Sequence, residues 1–309
     1  MQKFLLIGLD NSNLGDDLLY ISALELMSKI DNSFVFYLKS ERIVNILKQI
    51  DSISCEINLF NGQKYQKVLH IGGTVLTSHQ KIRTRVYGLF KNLLPISDCD
   101  IIMSLGVDKK IANKSRWKTF LNRNKPYLLV RDVESFISLW NNFKYTKSSI
   151  LFDSVFTSDF VLSFAGNINN DVELIIPRKW PFDKNIEKEQ LNLIKSSVNT
   201  KIMLFASSDN DSFPDFDYSY DGTYDSLCKL LSVISLSSNI ITSRYHGIVL
   251  AIMFKKKYNP FYIDEKLKSL DDYFNSDRDE HENKFDLQNT HHLQNIYIKA
   301  LKDVLSLNK

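Results

Sequence analysis

The densest chemistry in the chain lies in five consecutive residues, Ser243-Arg244-Tyr245-His246-Gly247, set between the apolar segments NIITS and IVLAIMF. That context reads as a strand end turning into a helix, whose N-terminus offers unsatisfied N–H groups and a positive dipole end to an anion. Arg244 brings a planar fork for carboxylate or phosphate, and His246 exchanges a proton near neutral pH. A histidine alone on an apolar helix is usually structural; beside arginine and glycine at such a junction, the functional reading is the better one. Arg178 in IIPRKW closes another apolar segment, and Lys266 in FYIDEKLKSL follows a third. Each alone is an ordinary surface cation. Together, three cations around one imidazole suit a small polyanionic substrate, and no P-loop, GxSxG or HExxH pattern competes with that reading.

A second group sits earlier. Asn13, Gly15, Asp16 and Asp17 (NLGDD) follow the first apolar segment, where parallel sheets bind ligands, outside the carboxyl ends of their strands. One glycine there is no dinucleotide fingerprint, which disfavours NAD and FAD. Asp16 and Asp17 either cap the following helix, as carboxylates do, or Asp16 serves as a base or sugar-hydroxyl acceptor. Gly72 and Gly73 in HIGGT follow a further strand and read first as a tight turn, second as a close approach of backbone to ligand. SLGV (104–107) and VRDVES (130–135) repeat the placement, with Arg131 either paired to Asp132 or contacting ligand. His70, His79, His281, His291 and His292 have no useful partner spacing and read as structural or surface residues.

The elements that must position these residues alternate. KFLLIGL, FVFYL, KVLHIGG, DIIMSLG and YLLVRD read as strands in the first half, with helices over 17–30 and 40–50 and between several of the others. VELIIPRKW, KIMLFAS, NIITS and NPFYI do so in the second, with helices over 185–197, 223–236 and from Gly247. Such alternation predicts α/β architecture with parallel sheets, here as two Rossmann-like domains facing across a cleft, the GT-B-like arrangement. The expected division is 1–168 for the first Rossmann-like domain, 169–289 for the second, and a C-terminal helix in 290–309 packing back on the first domain. At 309 residues the chain is long enough for two cores.

Composition removes other classes. With 44% hydrophobic and 24% charged residues the chain is an ordinary globular one. The opening apolar run, Phe4 to Leu9, is too short for a signal or a membrane span. Cys55, Cys99 and Cys228 have neither disulfide-framework nor zinc spacing, so no metal is expected and the cytoplasm is the expected compartment. Residues 81–125 hold eleven Lys/Arg against three Asp, interleaved with Phe90, Leu93, Trp117 and Phe120. They suit either an anionic membrane surface or a plain solvated helix face; nucleic acid is not expected, since no recognition module appears.

Taken together, the sequence resembles the polysaccharide pyruvyl transferase family. NLGDD (13–17) is similar to its GNxGD motif, IGGT (71–74) to its glycine patch and VRDVES (130–135) to its RDxxS element. IPRKW (176–180) resembles its RxW segment, SRYHG (243–247) its SRxHG signature and FYIDEK (261–266) its YxxK end. Thr74 stands where a third glycine is common, and Ser12 rather than glycine precedes Asn13. The resemblance implies transfer of a pyruvyl group from phosphoenolpyruvate, a co-substrate rather than a cofactor, to two sugar hydroxyls, forming a cyclic ketal. The sugar would belong to a bacterial cell-envelope polysaccharide or its polyprenyl-diphosphate-linked precursor; the protein would be cytoplasmic, with the membrane reading of residues 81–125 adding peripheral contact at the inner face of the plasma membrane. By motif, Arg178, Arg244 and His246 would bind the donor, with Asp16 near the acceptor; the chemistry of the residues would make His246 and Asp16 catalytic and add Lys266 to the donor cations, with Asn13, Gly15, Gly72, Gly73 and Arg131 lining the acceptor side or its loops. The alternatives are a GT-B glycosyltransferase with a nucleotide-sugar donor and an inactive carbohydrate-binding relative.

Overall fold

The computed structural model describes residues 1–76, 99–109, 111, 114–166, 172–179, 184–196, 200–213, 215–261, 265–274 and 287–306. The chain divides into two compact units: Met1–Leu9, Leu19–Thr157 and His291–Lys309 form the first, Asp10–Leu18 and Ser158–Thr290 the second. The units part eleven residues before the division at 168 drawn from the sequence, and the short Asp10–Leu18 segment goes with the second.

In the first unit the described strands are β1 (Lys3–Ile7), β2 (Val35–Leu38), β3 (Glu56–Leu59), β4 (Lys67–Leu76), β5 (Cys99–Val107), β6 (Tyr127–Val130) and β7 (Ser148–Ile150). They form one parallel sheet in the order β3-β2-β1-β4-β5-β6-β7. Its helices include α1 (Leu14–Ile30), which starts in the second unit, α2 (Glu41–Leu47), α3 (Lys114–Asn124) and α4 (Val133–Phe143). Ser40 caps α2 by accepting from the Ile43 amide, and Asp132 caps α4 by accepting from the Ser135 amide at 2.6 Å.

The turn expected at Gly72-Gly73 is not there. Both glycines lie inside the ten-residue β4, and a Cβ on Gly72 would come within 2.2 Å of the Met103 carbonyl oxygen on β5. Glycine is needed because two backbones approach closely, and Gly73 adds a φ of 122°. Gly106, likewise inside β5, leaves room for the Arg131 guanidinium, 2.9 Å from where a Cβ would stand. Arg131 itself is 4% exposed and lies 3.5 Å from Asp132 and 3.9 Å from the fully buried Asp153. The ion-paired reading of this arginine is therefore the one seen.

Two aromatic residues of the basic segment, Trp117 and Phe120, also turn inward. Trp117, Phe120 and Leu121 of α3 join Leu139 of α4 over Ile102, Leu105, Leu128 and Val130 of the sheet. Trp117 and Phe120 are core side chains and face no membrane; Phe90 and Leu93 lie outside the described residues.

The second unit holds β8 (Glu173–Ile176), β9 (Thr200–Leu204), β10 (Tyr218–Ser219), β11 (Asn239–Thr242) and β12 (Lys257–Pro260), all parallel, in the order β10-β9-β8-β11-β12. Around it run α5 (Asp159–Leu162), α6 (Lys184–Ser196), α7 (Tyr224–Leu236), α8 (Tyr245–Met253) and α9 (Glu265–Phe274). The last helix, α10 (Leu287–Ser306), lies mostly in the first unit, where Tyr297 donates to the Phe152 carbonyl. From Gly247 to Met253 every residue of α8 is buried, as its unbroken apolar sequence requires. Each such Ile, Val or Leu contributes about 1.5–3 kcal/mol of burial, so the strand-to-helix junction ahead of it rests on a firmly held element.

Candidate active site

The strand order of the second unit has a switch point between β8 and β11: chain connections leave in opposite directions on either side, and the crevice outside those two strand ends is where open parallel sheets bind ligands. Ile176 pairs with Thr242 at the last rung of the β8–β11 ladder. Arg178 and Arg244 each follow two residues later, so both arginines emerge beside the switch point.

Buried polar groups hold them there. Gln190 of α6, 2% exposed, accepts from the Arg178 amide at 2.9 Å and donates to the Arg178 carbonyl at 3.0 Å. Its carbonyl oxygen also accepts from the Ser243 hydroxyl at 2.7 Å. One side chain thus clamps the backbone after β8 and ties it to the residue before Arg244. Asp209, 1% exposed in the turn after β9, accepts from the Lys179 amide at 3.0 Å and takes the Arg244 guanidinium on its other oxygen. Arg244 Nε lies 3.4 Å from the Pro177 carbonyl. Its fork is oriented from two sides, with 12% of the side chain still exposed.

Arg244 is also the N-cap of α8, with extended backbone and no side-chain capping bond. The first turn behind it therefore presents N–H groups of the kind anions seek. Gly247 is required in that turn, since a Cβ would stand 2.3 Å from Thr242 Oγ1.

The NLGDD segment belongs to this same unit. The Leu14 amide donates to the Phe205 carbonyl at 2.9 Å, and Asn13 forms an antiparallel bridge with Ala206, just past the end of β9. Asn13, rather than either aspartate, caps α1, accepting from the Gly15 amide at 3.0 Å. Gly15 then lies directly against the imidazole: a Cβ there would fall 2.1 Å from His246 Nδ1. Asp16, in the first turn of α1 and half-buried, is the next residue. Asp17 is 1% exposed and accepts the Tyr220 hydroxyl proton.

Thus Asn13, Gly15, Asp16, Arg178, Arg244 and His246 fall at the strand ends of one sheet. Lys266 lies in the first turn of α9, half-buried, after residues 262–264, which are outside the described set together with Trp180. Gly72, Gly73 and Arg131 belong to the first unit, in the backbone and ion-pair roles given above. Sequence reasoning missed Gln190, Asp209 and Tyr220, and read Asp17 as a helix cap rather than as the partner of Tyr220. Gln190 was open to detection as a polar residue on the inward stripe Ile186, Gln190, Leu193 of an amphipathic helix, and Asp209 as a carboxylate just past a strand end. Among the described residues no three His, Cys, Asp or Glu side chains converge as a metal site, and no helix is long and apolar enough to cross a membrane.

The fold is shared with solved structures of low sequence similarity. A functionally uncharacterized protein of Klebsiella pneumoniae superposes with a TM-score of 0.56 at 13% identity, over 91% of each chain. UDP-GlcNAc 2-epimerase of Neisseria meningitidis, solved with UDP-GlcNAc bound, gives 0.51 at 11% identity over 98% of this chain and all of that one. These likenesses make the architecture GT-B-like. No curated protein matches the sequence. The family model for polysaccharide pyruvyl transferases, however, matches residues 13–265, beginning at the asparagine that caps α1 and ending at the start of α9. That match covers well over half of the sequence, and the chain belongs to the polysaccharide pyruvyl transferase family.

Proposed function

We propose that the protein transfers a pyruvyl group from phosphoenolpyruvate to two hydroxyls of a sugar in a surface polysaccharide or its lipid-linked precursor. The observation that carries this reading is the convergence of two arginines, an imidazole and an open helix N-terminus at the β8–β11 switch point. Phosphoenolpyruvate is a small trianion, and Arg178, Arg244 and Lys266 match its carboxylate and phosphate, supplying orientation and charge stabilisation.

In this mechanism His246 protonates the enol methylene carbon, leaving an oxocarbenium-like carbon 2. A sugar hydroxyl attacks that carbon and yields its proton to Asp16, which directly follows the glycine lying under the His246 ring. The second hydroxyl then displaces phosphate and its proton leaves on that phosphate, closing the ketal, while the proton taken by Asp16 makes good the one His246 gave to carbon; one phosphoenolpyruvate and one diol become one ketal and one inorganic phosphate. Side chains and substrate supply every proton and leaving group, so no cofactor enters the scheme. Asn13 and Gly15 fix the first turn of α1, which bears Asp16.

The test is phosphate release from phosphoenolpyruvate in the presence of acceptor glycan, with His246→Ala as the variant. Turnover should fall by at least about 100-fold, as for loss of a general acid, with the fold retained. Near-normal turnover would remove His246 from the mechanism. Thermal stabilisation by nucleotide sugars and not by phosphoenolpyruvate would instead favour a nucleotide-sugar enzyme on the same fold.

A further inference from the structure

Three of the eight exposed large hydrophobic residues among those described, Val133, Ile137 and Trp140, lie on α4, and a fourth, Ile150, lies on the edge strand β7. The three α4 residues are 49%, 45% and 44% exposed and spaced i, i+4, i+7, which makes them a single stripe. The opposite side of the helix, Ser135, Ser138 and Leu139, is the buried one. Ile150 pairs with Val130 of the core face, so it projects on the same side of the sheet, at its edge. A solvated helix presents polar residues outward; here the outward stripe is aliphatic and aromatic, and such patches mark contact surfaces.

Cations border it. Lys144 Nζ stands 5.4 Å from the centre of the Trp140 ring. Lys114, Lys118 and Arg123 are exposed on α3, which packs beside α4 on the same face, and Lys147 is exposed beyond it. Residues 101–150 contain ten Lys/Arg against three Asp/Glu, and Arg131 among the basic residues is spent in buried ion pairs. Of those acids Asp132 is held as the α4 cap, and Glu134 lies 4.0 Å from Lys109.

We infer that the outer face of α3 and α4 docks on an anionic lipid bilayer, with Val133, Ile137, Trp140 and Ile150 entering the headgroup region and the flanking lysines meeting lipid phosphates. Aromatic and aliphatic side chains ringed by snorkelling cations are the composition such an interface favours. A second copy of the chain fits less well, because two faces of the same positive charge would repel. The apolar residues here replace Trp117 and Phe120, the aromatic residues that sequence alone had suggested for this role.

The test uses the full chain and extruded vesicles, and it needs no catalysis, so it stands apart from the transfer reaction. The protein should co-sediment with vesicles of 30% phosphatidylglycerol in phosphatidylcholine and not with phosphatidylcholine alone, and 0.5 M salt should weaken binding severalfold. The Ile137→Ser/Trp140→Ser variant should bind at least tenfold more weakly with an unchanged circular dichroism spectrum; Val133→Ser serves as a milder variant, expected to lose a smaller factor, should the double variant not fold. No partitioning of the wild type, or variants that bind as well as it does, would overturn the inference. So would a dimer in solution that the substitutions convert to monomer while vesicle binding stays the same, which would make this face a protein interface.

Discussion

Gly15→Ala tests the union of the NLGDD segment with the imidazole most sharply. The added methyl would lie 2.1 Å from His246 Nδ1, 2.7 Å from Cγ and 2.9 Å from Cε1. Ordinary contacts begin near 3.5 Å, so something must retreat by more than about 1 Å. Turning the ring about its own axis gives little relief, because Cγ lies on that axis. The alternative is to lift the start of α1, which breaks the Leu14–Phe205 hydrogen bond and the Asn13–Ala206 bridge. Overpacking of this kind costs about 1–3 kcal/mol, while alanine for glycine in a helix returns up to about 1 kcal/mol, leaving a net loss of roughly 1–2 kcal/mol. A displacement near 1 Å at the reacting groups corresponds to about a 100-fold loss of turnover. Urea unfolding of Gly15→Ala, His246→Ala and the double variant measures the coupling directly. With the imidazole gone, the added methyl should cost nothing or stabilise. An undiminished penalty in the His246→Ala background would refute the packing argument.

Three further outcomes follow from the same geometry. Asp209→Asn keeps an acceptor for the Lys179 amide but removes the charge that orients Arg244, so KM for phosphoenolpyruvate should rise about tenfold with a smaller effect on kcat; steady-state kinetics checks this. Gln190→Leu strips partners from the Arg178 amide and carbonyl and from the buried Ser243 hydroxyl, and denaturant unfolding should show a loss of about 2–4 kcal/mol. His70, 7% exposed on β4, has its imidazole pKa pushed down to about 4 by burial, against 6.5 in the unfolded chain. The unfolded chain then binds the extra proton, so stability is full above pH 6.5 and falls by about 3 kcal/mol as pH drops to 4; His70→Leu should flatten that part of the stability curve.

Much of this was legible in the chain itself. The alternation of apolar segments with amphipathic ones is a local property, and it carried the parallel α/β architecture and the strand-to-helix junction at Ser243–Gly247. Ser40 and Thr223 cap their helices one residue ahead of α2 and α7, within a residue of the expected boundaries. β3, β7 and β10 were not foreseen, because strands of two to four residues at or near sheet edges bury too little to leave a pattern. Tertiary proximity was illegible in principle: nothing local says that Gly15 lies under His246, that Gly72 is needed for β5, or that Gln190 and Asp209 hold the two arginines. The α3 aromatics show the same limit, since a helix carrying Trp117 and Phe120 among lysines reads alike whichever face turns inward.

The most direct test of the central claim is isothermal titration of the protein with phosphoenolpyruvate, beside UDP-, GDP- and CMP-sugars, for the wild type and Arg244→Ala. Saturable binding of phosphoenolpyruvate that disappears in Arg244→Ala is the predicted result. Binding of a nucleotide sugar alone, or phosphoenolpyruvate affinity unchanged by loss of the guanidinium, would contradict a donor site at the β8–β11 switch point.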